Sequence, residues 1–269
     1  MIHDFERKNW TNDFYDKAVE WWGENCHDSL NLDHRYMIFM EAVGSARKEI
    51  LELGAGTGET SLFLNKLGNP ITIVEKSRKN VELLRRRASE GDSMKVIEGD
   101  YYDVDIPQKF DVICMFESFG FGNDTDQRFL LKRISNEWLK DDGCAVIDIY
   151  HPYGPIKYSG TSKSLEKLQY VKGSVDMTEY TFYDTLNGRW IDIWEPVERK
   201  EDYKAQSVRC YTPADLLLLL EGTGLKLDLM FFRGELVKWH ENQPFDSTKS
   251  QPFTDCEDNY NYTVKLIKS

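Results

Sequence analysis

The sequence predicts an α/β fold in which an open, mainly parallel sheet carries helices on both faces. Three observations favour it. The apolar run 50–53 breaks into a loop with glycines at 54, 56 and 58, typical of a buried strand that turns sharply beside a ligand. Strand-like and helix-like segments then alternate as far as Tyr150, as in parallel sheets whose strands are joined by helices. Acidic residues end successive strands, where such sheets bind their ligands.

The acidic residues define the predicted site more closely. Glu52 stands two residues before Gly54, which fits the pattern E/D-x-G-x-G-x-G better than the dinucleotide pattern G-x-G-x-x-G. Glu75 ends the strand 71–74, about 20 residues after the glycines, where an acid accepts from the ribose hydroxyls of an adenosine cofactor. Asp100 follows the next strand and is suited to accept from an adenine amino group. The strands 110–116 and 143–150 complete the parallel set.

These motifs, in this order and spacing, resemble the class I S-adenosylmethionine-dependent methyltransferases from about residue 45 onward. The resemblance implies a Rossmann-like sheet of seven strands, with N-terminal helices and a small β-rich cap insertion. It also implies S-adenosylmethionine as cofactor, bound by Arg35, Glu52, Gly54, Ala55, Gly56, Glu75, Lys76, Asp100, Tyr101 and Phe116. A nicotinamide-dependent enzyme is the alternative for this segment.

Charge and cysteine content exclude several other classes of protein. The chain has 34 basic and 46 acidic residues, and its basic residues form no run, which argues against nucleic acid or an anionic membrane as partner. Its five cysteines lack C-x-x-C spacing, so neither a metal site nor a disulfide framework is predicted. The start of the chain lacks signal-peptide features, and no apolar run approaches the roughly 20 residues of a membrane helix, so we expect a cytoplasmic protein.

The chain reads as a single domain, 1–269, with four parts. Residues 1–48 are predicted to form a helical cap, with an amphipathic pattern around Phe14 and a second helix near 33–43. Residues 49–150 form the cofactor-binding core, and 151–211 a substrate-capping insertion. Residues 212–269 supply a helix with Thr212 as N-cap and two final strands that pair as an antiparallel hairpin in this family. We expect a loop at 240–261.

The insertion contains the strongest hairpin signal in the chain, Asn187-Gly188 between two β-rich runs. A two-residue turn there would place Trp190 opposite Thr185, Asp192 opposite Tyr183 and Trp194 opposite Thr181. Residues 190, 192 and 194 then share one face, because side chains alternate along a strand. The pattern leaves open which face covers the core.

The chemistry of methyl transfer separates the candidate catalytic residues. A neutral α-amine needs only to be held in line with the methyl group, whereas a phenol or hydroxyl acceptor needs a base. Glu117 follows the fourth strand, where the active site of this family lies; it either positions a cationic amine or accepts its proton, or else caps the next helix. His151 is placed at a strand end, as a base or as a loop contact. Tyr15 resembles the tyrosine that many relatives place over the cofactor, and Arg35 could pair with the cofactor's carboxylate.

Length, the WTNDFYDKAVEWWG segment and the cap insertion resemble the N-methyltransferases that act on the azole peptide plantazolicin. The resemblance implies dimethylation of the α-amine of an N-terminal arginine, hence a cationic small-molecule or short modified peptide substrate. The predicted substrate-binding residues are Phe14, Trp22, Glu117, Tyr183, Trp190 and Asp192. Two alternatives stay open: a methyltransferase acting on an amino sugar or small phenol, and a non-catalytic cofactor-binding subunit.

Overall fold

The computed structural model describes residue 5 and residues 10–22, 32–88, 93–166, 174–240, 242–248 and 260–269. The side chains of residues 22, 32 and 33 lie outside this description. The predicted role of Trp22 in substrate binding therefore falls on a side chain that is not described. Most of the predicted loop 240–261 also lies outside the described residues, as do Cys26 and Cys256.

The central sheet confirms the predicted fold. Five parallel strands, β1 (Ile50–Leu53), β2 (Ile71–Glu75), β3 (Met94–Glu98), β4 (Phe110–Met115) and β5 (Leu139–Tyr150), carry the glycine loop and the strand-end acids. The last long strands, β10 (Leu225–Phe232) and β12 (Asn261–Lys268), pair antiparallel, and β12 also pairs antiparallel with β5. A two-residue strand, β11 (Glu235–Leu236), adds an eighth member, so the spatial order is β11-β10-β12-β5-β4-β1-β2-β3. Seven strands were expected; the eighth is too short to show the alternation of apolar and polar residues by which a strand is predicted.

Helices cover both faces of this sheet. They are α1 (Trp10–Trp22), α2 (Leu32–Val43), α3 (Glu59–Lys66), α4 (Arg78–Arg87), α5 (Asp124–Arg133), α6 (Tyr153–Lys157) and α7 (Pro213–Leu220), with a π-helical turn at Ile134–Trp138 and a 3₁₀ turn at Lys200–Asp202. Buried apolar residues form one cluster on each face of the sheet. Cys114 and Cys144 belong to one of them, as reduced thiols whose pKa burial raises. Among the described residues, no helix has both the length and the apolar character needed to cross a bilayer.

A second sheet of four antiparallel strands arises from the segment between the core and α7. Its strands are β6 (Thr161–Leu165), β7 (Met177–Asp184), β8 (Arg189–Pro196) and β9 (Lys204–Arg209). The predicted register of β7 and β8 was wrong by two residues: Trp190 lies opposite Tyr183, Asp192 opposite Thr181 and Trp194 opposite Glu179.

The turn between β7 and β8 is longer than predicted because Asp184 organises it. Its side chain accepts from the backbone N–H groups of Leu186 (3.0 Å) and Asn187 (3.2 Å), which holds a four-residue turn at 185–188. A shift of two residues preserves the faces of a strand. Residues 190, 192 and 194 therefore do share one face, and that face is buried, with Asp192 only 1% exposed.

The guanidinium of Arg189 is one attachment of the four-stranded sheet to the core. Arg189 donates to the carbonyl oxygens of Gly120 (3.3 Å), Phe121 (3.2 Å) and Gly122 (2.9 Å), in the loop that follows β4. The backbone N–H of Arg209, at the end of β9, also donates to the Gly120 carbonyl (2.8 Å). A Cβ atom at Gly120 would lie 2.7 Å from the carbonyl oxygen of Arg209, so this contact requires glycine.

Replacing Thr212 by alanine should lower the free energy of unfolding by about 1 kcal/mol. Thr212 is the N-cap of α7, as predicted, and its hydroxyl accepts from the backbone N–H of Asp215 at 3.2 Å, while Asp215 accepts in return from the Thr212 N–H. Urea denaturation measures the difference. Leu218→Ala, at a 62% exposed position of the same helix, is the control and should cost less. Equal losses in both variants would contradict the capping role.

Candidate active site

A cavity of about 280 Å³ lies at the carboxyl edge of the parallel strands. The loops after β1, β2 and β4 form its floor, α1 covers it, and two side chains of the second sheet, Trp194 and Gln206, close one side. Such an edge is where open parallel sheets bind ligands. The predicted cofactor-binding residues are all among its lining, namely Arg35, Glu52, Gly54, Ala55, Gly56, Glu75, Lys76, Asp100, Tyr101 and Phe116.

The loop after β1 requires glycine where it packs against the loop that follows β4. Gly54 has a φ of +73°, and a Cβ atom there would lie 2.7 Å from the Cβ atom of Ser118. At Gly56, with φ +57°, a Cβ atom would meet no atom within 4 Å. The backbone at 56 is therefore bare toward the cavity, as needed where a ligand approaches the main chain.

Glu75 holds this loop in place. One carboxylate oxygen accepts from the Gly56 N–H at 2.8 Å and the other from the Ser77 N–H at 2.7 Å. Burial raises the pKa of Glu75, and these N–H donors oppose that shift. The carboxylate thus lies at the cavity wall with its orientation fixed by the backbone on both sides.

Asp100 is held in a similar way at the end of the next strand. Its carboxylate accepts from the backbone N–H of Tyr102 at 2.9 Å and lies 3.1 Å from the Nζ atom of Lys76. Tyr101 donates its hydroxyl to the carbonyl of Ser118 at 2.9 Å, so its ring, rather than its oxygen, faces the cavity.

Arg35 is surrounded by acids. Its guanidinium lies 3.3 Å from the Glu117 carboxylate, donates to the Thr60 hydroxyl at 3.1 Å and stands 5.3 Å from the Phe116 ring centroid. Burial lowers the pKa of Arg35, but the charges of Glu117, Asp148 and Glu52 outweigh this and raise it overall. One cation therefore balances several carboxylates at this point.

Two of those acids are buried. Burial raises the pKa of Glu52 to about 7 and that of Asp148 to about 6, and Arg35 opposes both shifts. Glu52 accepts from the Ser61 hydroxyl, and Asp148 accepts from the Thr263 hydroxyl at 2.6 Å. Glu117 differs, because its side chain is 40% exposed and reaches the cavity.

The backbone of Glu117 adopts an uncommon conformation, with a φ of 56°. A non-glycine residue in this region costs on the order of 1–3 kcal/mol, and such strain is typical of functional sites. Asp148 stabilises it by accepting from the Glu117 backbone N–H. The strain places a charged side chain at the end of β4, beside Arg35.

Aromatic rings form the wall opposite the strand ends. Phe14 and Tyr15 of α1 lie 5.2 Å apart by ring centroids, Phe14 lies 4.8 Å from Trp194, and Tyr15 lies 5.7 Å from Phe121. All four line the cavity, together with Tyr150 at the end of β5. Burial raises the pKa of Tyr15, as do the nearby charges of Glu75, Glu117 and Asp192, so its phenol keeps its proton.

Among the predicted site residues whose side chains the structure describes, four do not line this cavity. The Nδ1 atom of His151 accepts from the Tyr153 backbone N–H at 3.1 Å, and burial lowers the pKa of His151 to about 4. Trp190 packs behind the wall, against Tyr150, with 5.4 Å between ring centroids. Tyr183 is opposite Trp190 on β7 and takes no part in the lining, because the two-residue register shift moves it toward the hairpin tip.

Asp192 is the fourth, and it acts one layer behind the lining. Its carboxylate accepts from the indole N–H of Trp194 at 2.7 Å and from the amide of Gln206 at 3.0 Å. Sequence reasoning missed Gln206, although pairing β9 with β8 places it opposite Asp192. It also missed Tyr150 and Phe121 as lining residues. Tyr150 ends a core strand, a position that itself indicates the cavity edge.

Comparison with known proteins agrees with this geometry. Residues 50–143 match the family described as "Methyltransferase domain". The cypemycin N-terminal methyltransferase of Streptomyces sp. is 28% identical over 119 residues, 44% of this chain and 48% of that protein. An uncharacterized methyltransferase of Staphylococcus carnosus is 27% identical over 52% of this chain and 64% of its own length. The chain thus matches about half to two thirds of these curated relatives.

Solved structures show the same fold over nearly the whole chain. The CcbJ methyltransferase of Streptomyces caelestis has a TM-score of 0.70 at 20% identity and covers 99% of this chain and 100% of its own. The sugar N-methyltransferase KedS8 of Streptoalloteichus has 0.62 at 14% identity, covering 91% and 90%. The glycopeptide N-methyltransferase MtfA with S-adenosyl-L-homocysteine has 0.56 at 13%, covering 88% and 89%. At these identities the likeness concerns the fold.

S-adenosyl-L-methionine is the ligand in one solved structure of the glycopeptide N-methyltransferase MtfA. The chemistry of the cavity fits it: bare backbone at Gly56 and two fixed carboxylates, Glu75 and Asp100, suit an adenosine, while the Arg35 guanidinium suits a carboxylate. When bound, the cofactor supplies an activated methyl group on a sulfonium.

Replacing Glu75 by alanine should weaken S-adenosylmethionine binding by more than about tenfold, because the carboxylate both faces the cavity and holds the Gly56 N–H. Isothermal titration calorimetry measures the dissociation constant. Glu98→Ala is the matched control, since Glu98 ends the neighbouring strand in register with Glu75 but does not line the cavity. An unchanged affinity in Glu75→Ala would refute the assignment.

The raised pKa of Glu52 predicts a pH-dependent stability. Between about pH 4.3, the ordinary pKa of an unfolded glutamate, and pH 7, the folded state binds more protons than the unfolded chain. The free energy of unfolding of the native protein, relative to Glu52→Gln, should therefore fall as pH rises through this window and stay constant above it. Urea denaturation at pH 4.5, 6 and 8 tests this. Glu221→Gln, at an exposed carboxyl, should show no such trend; a rising difference would contradict the assignment.

Proposed function

We propose, from the match of residues 50–143 to the family described as "Methyltransferase domain", that the protein is an S-adenosylmethionine-dependent N-methyltransferase of natural-product biosynthesis. Its acceptor is the α-amine of a small cationic substrate, with an N-terminal arginine of a modified peptide as the favoured case. The observation that carries the proposal is the half-exposed Glu117 carboxylate beside an aromatic wall. A relative of this chain is named for N-terminal methylation of cypemycin, which supports an amine acceptor.

An amine suits the residues that line the cavity. Among the residues that the structure describes, no histidine reaches the lining, and the phenol of Tyr15 has a raised pKa that makes it a poor base at neutral pH. A hydroxyl or phenol acceptor needs a base to remove its proton. An α-amine with a pKa of about 7.7–8.0 has a neutral fraction near pH 7 without one.

Each part of the cavity then has a role in the reaction. Glu117 attracts the positively charged acceptor, and the aromatic rings of Phe14, Tyr15 and Trp194 favour a cation and exclude water. Glu75 and Asp100 would hold S-adenosylmethionine, which would supply the methyl group to the amine lone pair, and the product ammonium would release its proton to solvent. Residues 49–150 bind the cofactor on this proposal, and the segments 1–48 and 151–211 enclose the acceptor.

An amino sugar is the second candidate, because KedS8, which shares the fold, is a sugar N-methyltransferase. Both candidates transfer the methyl group to nitrogen and differ in the acceptor's shape and charge. A small phenol is disfavoured by the position of His151, whose Nδ1 is engaged by the Tyr153 N–H outside the cavity lining.

A screen of acceptors by mass spectrometry tests the proposal. The protein and S-adenosylmethionine are incubated with a peptide bearing a free N-terminal arginine, its lysine-started and acetylated counterparts, an amino sugar and a phenol. We expect methylation of the arginine peptide and none of the acetylated one. Methylation of the phenol alone would overturn the proposal, and methylation of the amino sugar alone would overturn its peptide part.

Variants of the same protein sharpen the screen. Glu117→Gln should raise KM for the cationic acceptor about tenfold, since it removes the charge that attracts the substrate. His151→Ala is the control and should leave turnover of an amine unchanged, because His151 does not line the cavity. A loss of amine turnover in His151→Ala, in a variant that circular dichroism shows to be folded, would contradict the proposal that the reaction needs no base.

A further inference from the structure

In the second sheet, the buried carboxylate of Asp192 is hydrogen-bonded to two side chains that line the cavity, those of Trp194 and Gln206. Asp192 on β8 lies opposite Gln206 on β9, and one of its carboxylate oxygens accepts from Gln206 Nε2 at 3.0 Å and from Trp194 Nε1 at 2.7 Å. A carboxylate oxygen with these two donors fixes which end of the Gln206 amide faces it. The amide nitrogen must point toward Asp192, so the amide oxygen points the other way.

That amide oxygen faces Tyr15. The distance from the Tyr15 hydroxyl to Gln206 Oε1 is 3.4 Å, a long hydrogen bond in which the amide oxygen only accepts. The Tyr15 hydroxyl is therefore the donor, and it retains its proton because burial raises its pKa. Burial and the neighbouring Glu179 raise the pKa of Asp192 too; a proton on its second oxygen leaves the first still accepting, so the order of donors is unchanged.

We propose that Asp192 and Gln206 are positioning residues that direct the Tyr15 hydroxyl hydrogen toward the cavity wall and away from the acceptor. The lone pairs of the Tyr15 oxygen then face the acceptor and take an N–H of its amine. This orients the nitrogen, so that its own lone pair is free to form the new N–C bond. The inference rests on the proposed function and adds a requirement to it: the acceptor nitrogen must carry at least one hydrogen.

A double-mutant cycle tests this arrangement. Gln206→Met removes both hydrogen bonds at similar volume, and we expect kcat to fall about tenfold with a smaller change in KM. Tyr15→Phe should lower kcat to a similar extent. If Gln206 acts through Tyr15, adding Gln206→Met to Tyr15→Phe should cause no further loss, whereas a merely structural effect of Gln206 would add to it. Additive losses would overturn the proposal.

Substitutions at Asp192 provide a matched pair. Asp192→Asn retains an oxygen that accepts from both donors and should keep most of kcat, while Asp192→Leu removes it and should behave like Gln206→Met. Lys204→Met is the control on β9, two residues from Gln206 on the same face and outside the cavity lining, and should leave kcat unchanged. Equal losses in Asp192→Asn and Asp192→Leu would contradict the proposed direction of the bonds.

A measurement without any acceptor separates this inference from the proposed function. By NMR, the side-chain amide hydrogens of Gln206, identified by their absence in Gln206→Met, should exchange with water at least tenfold more slowly than those of exposed Gln243. The protection should be lost in Asp192→Leu. Exchange as fast as at Gln243 would overturn the positioning role, whatever the acceptor. Protection together with methylation of only a phenol would instead overturn the proposed function.

Discussion

The site depends on one guanidinium placed among three carboxylates. Arg35 faces Glu117, Asp148 and Glu52, and without that charge two buried acids and one strained, half-exposed acid would stand together uncompensated. Removing one partner of a buried charge cluster is costly because the remaining charges stay desolvated. The position of α2, which carries Arg35, is therefore tied electrostatically to the ends of β1, β4 and β5. This couples the helical layer to the sheet edge more specifically than apolar packing does.

The site's acids also support the loop they accompany. Glu75 was predicted as a ligand-binding acid, yet its two oxygens accept from the backbone at Gly56 and Ser77. At Gly56, where an added Cβ atom would meet no described atom within 4 Å, the turn gains its definition from such a bond. On the proposed function, cofactor recognition and local folding share this carboxylate. This explains in physical terms why an acid at the end of the second strand accompanies the glycine loop.

Local patterns predicted the central sheet, the helices and the cofactor edge, because each rests on short-range periodicity or on the ends of strands. The faces of β8 were also predictable, since an error of two residues in register leaves a period of two intact. How far behind the cavity wall a side chain lies could not be predicted from the sequence. Asp192 and Trp190 share a face of β8 with Trp194, but of these three only Trp194 lines the cavity. Which part of that face reaches the cavity depends on how the second sheet packs against α1, and this is a tertiary contact. Gln206 was missed for the same reason: its partner is defined by strand pairing.

The attachment of the second sheet has an evolutionary consequence. Arg189 binds three successive main-chain carbonyls at 120–122, so the joint rests on the backbone of that loop, with glycine required at position 120. The side chains that β8 and β9 direct at the cavity, Trp194 and Gln206, are not part of this joint. Substitutions at these two positions can alter the cavity wall without changing how the second sheet is attached to the core. The loops at the carboxyl edge of the parallel strands also keep their geometry. Such a division allows the cavity wall to change by a few mutations at little cost in folding stability.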